Sequence, residues 1–108
     1  MNSGQAVEHI LFMHLKDLTE SEEKGLLDKI EEMRSLPGVL NISFGKNFSD
    51  RGDKYNYGYR VLLQDKESLD NYGPHKLHQE FRELLNEVRL SLPLVSDFYV
   101  PKFPYNKY

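Results

Sequence analysis

Two of the four histidines lie close together and are well placed for acid–base chemistry. His75 and His78 occupy the segment Tyr72-Gly-Pro-His75-Lys-Leu-His78-Gln-Glu-Phe81. A spacing of three places both rings on one flank of a helix, and His78 precedes Phe81 by three residues, so it points toward the apolar side. An imidazole between helix and sheet, with the phenol of Tyr72 nearby, can exchange protons near neutral pH. The pattern predicts His78 and Tyr72 as candidate acid–base residues.

The same residues also have a structural interpretation. His75 would cap the start of the helix, and His78 would be a buried, hydrogen-bonded core residue. A zinc site built from His75, His78 and His9 is conceivable because imidazole is a preferred ligand of this metal, but no carboxylate lies on the inward flank to complete the ligand set. We expect no metal and no cofactor.

Hydrophobic periodicity predicts the elements that position these side chains. Residues 7–16 alternate with apolar groups on both faces, which indicates a strand buried on both sides. Thr19 and Glu22 form a capping-box pattern at the start of an amphipathic helix over residues 19–35. Pro37-Gly38 ends that helix, and residues 39–46 form a second strand of period two, with Leu40 among the residues expected to face the helices.

The second half of the chain repeats this alternation of strand and helix. A loop rich in turn-forming residues covers positions 47–54, and a row of tyrosines then lines one face of a third strand: Tyr55, Tyr57 and Tyr59. Asp65 caps a short helix that ends at Tyr72, and Gly73-Pro74 separates it from a longer amphipathic helix. Pro93 ends that region, and residues 94–100 form a fourth strand.

The order β-α-β-β-α-β, with the second helical segment split, is typical of a ferredoxin-like α+β fold, an antiparallel sheet with helices on one face. A chain of 108 residues is the size of one domain. We predict an N-terminal extension over residues 1–6, the domain over residues 7–100 and a C-terminal tail over residues 101–108.

The sheet face opposite the helices is predicted to be partly apolar. Asp97 lies among its residues, and the expected interface consists of Ile10, Phe12, His14, Asn41, Arg60, Leu62, Val95 and Tyr99. Such a face is too apolar for water and too polar for a monomer core. It predicts a homodimer in which a two-fold axis packs two sheets into a barrel-like core.

Composition excludes several classes of function. The chain contains no cysteine, so disulfides and thiolate chemistry are absent. The 14 basic residues are scattered and the net charge is −3, which argues against nucleic-acid binding. The longest apolar run, Ile10 to Met13, is far below the roughly 18 residues of a membrane span. With no signal-peptide pattern at the start, we expect a cytoplasmic protein that binds neither nucleic acid nor membrane.

Four motifs together resemble the stress-responsive A/B barrel family, also called Dabb. They are His9-Ile-Leu-Phe, Leu-Pro37-Gly38-Val, Gly45-Lys-Asn-Phe-Ser49, and Tyr72 followed by His75-x-x-His78-x-x-Phe81. The resemblance covers about residues 7–100. It implies a ferredoxin-like protomer and a homodimer forming an α/β barrel. Some members of the family are heat-stable, stress-induced plant proteins, and most have no assigned activity.

Other relatives are polyketide cyclases, which close a linear tetraketide thioester by intramolecular aldol chemistry without a cofactor. The resemblance implies that His78 would be the base, that Tyr72 would bind and orient the substrate, and that His9 would border the pocket. The chain departs from the cyclases at Tyr57, where they carry a second histidine, and in the segment His75-Lys-Leu-His78, where they carry His-Pro-Ala-His.

Three functional hypotheses stay open at this point. The first is a small homodimeric stress-responsive protein whose activity the sequence does not specify. The second is a cyclase-like enzyme, and the third is a protein that binds a small apolar metabolite. The predicted pocket is lined by His9, Leu11, Met13, Ile30, Ile42, Tyr57, Val61, His75, Phe81 and Leu85. The tyrosine row would either form one wall of this pocket or fill it.

Overall fold

In the computed structural model, which describes residues 5–101, four strands form one antiparallel sheet and three helices pack on one of its faces. The elements follow the order β1 (Ala6–Met13), α1 (Glu20–Met33), β2 (Val39–Lys46), β3 (Tyr57–Leu63), α2 (Lys66–Tyr72), α3 (Lys76–Val88) and β4 (Leu94–Val100). The strand order in the sheet is β2-β3-β1-β4. The ferredoxin-like α+β fold with a split second helix is therefore confirmed. Most of the predicted N-terminal extension and C-terminal tail lies outside the described residues.

Side-chain caps start the first two helices where the sequence predicts. The Thr19 N–H donates to Glu22 Oε1 at 2.9 Å and the Glu22 N–H donates to Thr19 Oγ1 at 3.1 Å, a complete capping box. The Ser68 N–H donates to Asp65 Oδ1 at 2.8 Å at the start of α2. These bonds satisfy donors that have no partner within the helix. Helix α1 ends at Met33, two residues before the predicted end.

The sheet face covered by the helices, the inner face, carries the core. Every second residue of β3, from Tyr57 to Leu63, points to this face and is buried. Tyr57 stacks on Phe44 with ring centroids 5.3 Å apart, and Tyr59 lies 5.0 Å from Phe81 of α3. Aromatic side chains therefore fill the space between β2, β3 and the helices. Tyr55, the first member of the predicted tyrosine row, precedes β3.

Leu40 does not face the helices as predicted. The register pairs Val39 with Leu63 and Asn41 with Leu62, so that Leu40 is one extra residue in β2. Leu40 is 51% exposed, whereas Val39 packs against the core. A bulge of this kind shifts the alternation of side chains by one residue, and the period-two pattern of residues 39–46 gives no sign of it.

The predicted facing of β4 is also wrong. Cross-strand partners in an antiparallel pair point to the same face of the sheet, and β4 residues pair with inner-face residues of β1: Tyr99 with Val7, Asp97 with His9, and Val95 with Leu11. Val95 and Tyr99 therefore lie on the inner face. The opposite, outer face receives Leu94 and Phe98 instead. Because β4 carries apolar residues at both odd and even positions, its pattern does not determine which set faces the helices.

Within residues 5–101, no helix has the length and hydropathy needed to cross a membrane.

Gly38 is a position where only glycine fits. Its φ is +83°, and an added Cβ would lie 2.0 Å from Ser68 Oγ and 2.4 Å from Ser68 Cβ. Ser68 is buried and tied to the Asp65 cap. Neither the backbone conformation nor the space at this position suits alanine. We therefore expect Gly38→Ala to lower the free energy of unfolding by about 2 kcal/mol or more. Urea denaturation measures this change.

Gly25→Ala is the matched control. Gly25 lies inside α1, and an added Cβ there meets no atom within 4 Å. Alanine favours the helix, so this change should raise stability by up to about 1 kcal/mol. Equal effects of the two substitutions would contradict the assignment of Gly38.

Candidate functional site

A cavity of about 380 Å³ opens between α3 and the inner faces of β1 and β4. Its size suits a small organic ligand. The cavity exists because β4 is an edge strand, and its inner-face residues Val95 and Tyr99 are only partly covered. We call it the α3–β4 cavity, and its lining residues are His9, Leu11, Tyr59, His78, Phe81, Arg82, Leu85, Asn86, Arg89, Leu92, Pro93 and Val95.

His78 has a fixed proton position. Its Nδ1 lies 2.8 Å from the backbone oxygen of Gly73, at the break between α2 and α3. A carbonyl oxygen can only accept a hydrogen bond, so Nδ1 carries the proton. The neutral ring therefore has a lone pair on Nε2. Burial lowers the pKa of His78, and the nearby His9 and Arg82 lower it further. The ring is therefore neutral at pH 7 and able to accept a proton.

A pair of phenols lies beside this imidazole. The Tyr72 ring is 4.4 Å from the His78 ring, centroid to centroid, and the Tyr72 hydroxyl is hydrogen-bonded to the hydroxyl of Tyr59. Burial raises the pKa of Tyr72 to about 12 and also raises the pKa of Tyr59, so both phenols stay protonated. One proton is used in the bond between them, which leaves the other free for a further acceptor.

Tyr59, rather than Tyr72, lines the cavity. Tyr72 is buried against His78 and Tyr59. The sequence places Tyr59 in the tyrosine row but does not single it out as a site residue. Its position depends on the pairing of Tyr59 with Leu11 across β3 and β1, which hydrophobic periodicity alone does not specify.

The carboxylate of Asp97 orients His9. The sequence predicts Asp97 on the outer face, but its pairing with His9 places it on the inner face. His9 Nδ1 lies 2.5 Å from Asp97 Oδ1, across the β1–β4 ladder. The carboxylate accepts this bond, so the proton is on Nδ1 and the other ring nitrogen of His9 is free. The two cavity histidines are thus anchored in the same way, one by a carbonyl and one by a carboxylate.

The predicted pocket residues fall into three groups. Four of them line the α3–β4 cavity with His78: His9, Leu11, Phe81 and Leu85. Five are packed in the closed core: Met13, Ile30, Ile42, Tyr57 and Val61. His75 is exposed and accepts the Leu77 N–H at 3.1 Å as the N-cap of α3, the structural role weighed as an alternative. The cavity is therefore displaced from the predicted pocket, because Tyr57 and Phe44 fill the space above β2 and β3.

The sequence does not single out three polar residues that border the cavity, two in α3 and one at its C-cap. Arg82, Asn86 and Arg89 line it, and the Arg89 Nε–H donates to Asn86 Oδ1 at 2.8 Å. They follow His78 at positions four, eight and eleven, a spacing that places all four residues on one flank of a helix. This periodicity is a signal that could have identified them.

The three histidines considered for zinc do not converge. Among the residues that the structure describes, no group of three or more histidine, aspartate or glutamate side chains could hold a metal ion. His9 and His78 are bonded through Nδ1 to other partners, and His75 caps α3.

We expect NMR titration to find the His78 pKa below that of a free histidine, because burial disfavours the charged ring. The ¹⁵N shifts of the ring should also show the proton on Nδ1 in the neutral state. A short unstructured histidine peptide provides the reference. A neutral ring protonated on Nε2 would contradict the assigned tautomer.

The lowered pKa of His78 also makes stability depend on pH. The folded protein binds this proton less tightly than the unfolded chain does. The neutral His78 ring therefore contributes fully to the free energy of unfolding above the unfolded histidine pKa of about 6.5. This contribution is lost as the pH falls through the lowered pKa of the folded protein. Urea unfolding between about pH 5 and 8 should show this loss of stability in the wild type and not in His78→Gln. If the stability of the two proteins changes with pH in parallel, the lowered pKa of His78 is contradicted.

Comparison with known proteins agrees with this architecture. Residues 7–100 match the stress responsive A/B barrel domain, Dabb. No curated protein sequence matches the chain.

Several solved structures share the fold. A hydroxynitrile lyase from Passiflora edulis superposes with a TM-score of 0.78 at 17% identity, covering 94% of this chain and 99% of that one. A Dabb family protein from Mesorhizobium loti gives 0.73 at 24% identity, with 91% and 98% covered. A dimeric ferredoxin-like protein of unknown function from Thermobifida fusca gives 0.75 at 15% identity, with 90% and 92% covered.

Identities this low establish a common fold and not a common activity. The domain match, however, extends from β1 to the end of β4 and includes both cavity histidines. The protein therefore belongs to the stress responsive A/B barrel (Dabb) family.

Proposed function

We propose that this Dabb protein binds a small carbonyl compound in the α3–β4 cavity and that His78 acts on it as a general base. One observation carries the proposal: a neutral imidazole with a fixed tautomer lines a cavity of about 380 Å³, and its neighbours hold a spare phenol proton. The reaction is a proton transfer from a carbon next to a carbonyl, followed by an aldol-type bond formation.

The groups around the cavity suit each step. His78 Nε2 removes the acidic proton, and the electron pair of the C–H bond moves into an enolate. The spare phenol proton of Tyr59 and Tyr72 and the guanidinium of Arg82 stabilise the negative oxygen. The enolate carbon then attacks a second carbonyl, and protonated His78 returns its proton to the new alkoxide. No redox partner or cofactor is needed.

The residues of the site, rather than the fold, support this function, because the fold hosts more than one function. One structure with this fold is a hydroxynitrile lyase, and polyketide cyclases are the relatives whose aldol chemistry the resemblance implies. Tyr57 and the small cavity favour a substrate shorter than a tetraketide. The predicted substrates are therefore compact dicarbonyl compounds in which the enolate carbon closes a five- or six-membered ring on the second carbonyl.

Substitution at His78 tests the enzyme hypothesis. We expect His78→Gln to lower the rate at which 2,6-heptanedione is converted to its cyclic aldol product by about a hundredfold or more, and Tyr59→Phe to lower it by about tenfold or more. Chromatographic product analysis measures both effects.

His75→Gln is the control because His75 caps α3 outside the cavity. It should keep wild-type turnover. No turnover of this diketone by the wild-type protein, or full activity in His78→Gln, would contradict general-base catalysis.

Binding without reaction is the second candidate function. The apolar part of the cavity wall favours it, since Leu11, Phe81 and Leu85 would hold an apolar metabolite without any help from His78. Such a ligand would raise the melting temperature by mass action, in wild type and His78→Gln alike, and no product would form.

We also propose that the outer face is a homodimer interface. It exposes Phe12, Leu94 and Phe98, with Ile10 partly buried among them. Glu8 Oε2 accepts two hydrogen bonds from Arg60, whereas Glu8 Oε1 is a buried oxygen without a partner in the described part of the chain. A second copy would cover the apolar side chains and supply a donor. Relatives of this fold are described as dimeric.

Of the other predicted interface residues, Asn41, Arg60 and Leu62 lie on this face by their register with β1 and β3. His14 directly follows β1, and its Nδ1 lies 3.0 Å from Ser91 Oγ.

Sedimentation tests the homodimer. The wild-type protein should sediment at twice 12.7 kDa at micromolar concentration, and Phe98→Glu should be monomeric because a carboxylate would be buried in the interface. Phe48→Glu should remain dimeric, since Phe48 is fully exposed on the loop between β2 and β3. A monomeric wild-type protein would contradict the interface.

A further inference from the structure

The two arginines of the α3 flank, Arg82 and Arg89, have no acidic neighbour. Elsewhere in the helices, Lys24, Lys29 and Lys66 each pair with an acidic residue three or four positions further along, a spacing that balances charge on a helix surface. The residues at the same spacings from the two arginines carry no negative charge: His78, Gln79, Leu85, Asn86, Leu92 and Pro93. Within residues 5–101, neither guanidinium forms an ion pair with a carboxylate.

Both guanidinium groups border the α3–β4 cavity, and no acidic residue is among its described lining residues. Asp97 bonds to His9 but does not itself line the cavity. The chain as a whole has a net charge of −3, so the positive charge here is local. A cavity wall that carries two cations and no anion favours a ligand with a negative group.

The backbone holds Arg89 in a fixed position at the C-cap of α3. The Lys16 N–H donates to the Val88 oxygen at 2.9 Å, and the Leu90 N–H donates to the His14 oxygen at 2.8 Å. These two bonds tie the residues on both sides of Arg89 to the segment that follows β1. A binding group on such a rigid support loses little freedom when a ligand arrives.

The Arg89 side chain is also oriented, and its outer donors are free. Its Nε–H donates to Asn86 Oδ1 at 2.8 Å. The four N–H groups on the two terminal nitrogens have no acceptor in the described part of the chain. Two parallel N–H groups of a guanidinium match the two oxygens of a carboxylate. Asn86 therefore leaves Arg89 ready for end-on binding of a carboxylate.

His78 and Arg89 mark the two ends of this flank. Eleven residues separate them, which corresponds to about 16 Å along a helix axis, and the bond to Asn86 draws the guanidinium back toward His78. Arg82 lies between them. It acts electrostatically on His78, since it lowers the pKa of that imidazole after the larger effect of burial. The apolar side chains of Phe81 and Leu85 line the cavity along this flank. The flank thus suits a ligand with two polar ends and an apolar middle.

The position of Arg89 also has a purely structural interpretation. A basic residue at the C-terminus of a helix interacts favourably with the helix dipole. That role requires a positive charge but neither a planar fork nor a bond to Asn86. It predicts an effect of Arg89 on stability and none on the choice of ligand.

We propose that Arg89 binds a carboxylate, so that the α3–β4 cavity takes a keto acid in which an apolar spacer separates the carboxylate from the carbonyl group. This inference rests on the proposed function, because the carbonyl end is the one on which His78 acts. Arg82 serves the carbonyl end and Arg89 the carboxylate end. Arg89 is a binding residue, and it orients the ligand along α3.

A matched pair of probes tests the charge. 5-Oxohexanoate and 5-oxohexanamide have the same carbon skeleton and the same ketone, and only the acid is charged. The wild-type protein should bind the acid about tenfold more tightly than the amide, because hydrogen bonds to an ionised acceptor are stronger. The preference should shrink as salt is added, because Arg89 is exposed at the rim of the cavity. Isothermal titration calorimetry at pH 7.5 measures both dissociation constants.

Substitution of Arg89 tests the site. Arg89→Gln should weaken binding of 5-oxohexanoate by about tenfold and change binding of the amide by less than about twofold. Arg89→Lys keeps the charge but loses the fork, so it should keep the wild-type melting temperature and recover only part of the preference. Arg51→Gln is the matched control, because it removes the same charge from the exposed loop between β2 and β3, outside the cavity. It should leave both dissociation constants unchanged.

Proton exchange tests the orientation of the ligand. In deuterated water, the protein should accelerate exchange of the protons next to the ketone of 5-oxohexanoate, and His78→Gln should abolish this acceleration. 2-Oxohexanoate has its ketone beside the carboxylate, so its ketone would stay at the Arg89 end. Its acceleration over the uncatalysed rate should be at least about tenfold smaller. Equal acceleration of the two acids would overturn the spacer. Proton NMR follows both exchange rates.

The outcomes separate the carboxylate site from the proposed function. Equal affinity of the wild-type protein for acid and amide, or a preference that survives in Arg89→Gln, overturns the carboxylate site and leaves general-base catalysis standing. A preference that depends on Arg89, without exchange that depends on His78, overturns general-base catalysis and leaves the carboxylate site standing. If Arg89→Gln lowers the melting temperature and weakens both probes equally, Arg89 is structural and the carboxylate site is overturned. Binding of neither probe at millimolar concentration overturns both.

Discussion

β1 pairs with β3 on one side and with β4 on the other, and this double register sets both surfaces on which the proposed function depends. On the inner face it places His9 opposite Asp97 and Leu11 between Tyr59 and Val95, which creates one wall of the α3–β4 cavity. On the outer face the same register places Phe12 between Gly58 and Leu94. Since alternate side chains of a strand point to opposite faces, a slip of one residue would exchange the two surfaces and destroy both.

The proton positions at the site follow from its hydrogen-bond partners. His78 donates to a neutral carbonyl, so burial outweighs the bond and the pKa of His78 falls. The phenols behind it are buried, and their raised pKa values keep both protons in place. A neutral base beside protonated phenols is a site in which a proton can leave a carbon while a negative oxygen is stabilised. The proposed chemistry depends on the gap between α2 and α3, because the Gly73 carbonyl at that gap fixes the imidazole.

The space available for a ligand is decided by where aromatic side chains pack. Tyr57 stacks on Phe44 and closes the region above β2 and β3, whereas the edge strand β4 leaves its inner face partly open. The cavity is therefore displaced toward β4, and residues of α3 such as Arg82 replace the core residues Ile30 and Ile42 as its lining. This displacement makes a compact ligand a better match than a long one.

The sequence by itself determined the order of the elements, the caps at Thr19 and Asp65, and the facing of β1 and β3, because these depend on local hydrogen bonds and on side-chain alternation within one segment. It also identified His78 and His9, which line the α3–β4 cavity. Only the tertiary structure decided the facing of β4, the extra residue at Leu40, the bond between His9 and Asp97, and Tyr59 as the phenol on the cavity wall. Each of these depends on the register between neighbouring strands of the sheet. Register is set by the packing of whole faces against the helices, and a strand with apolar residues on both faces, such as β4, carries no local signal of it.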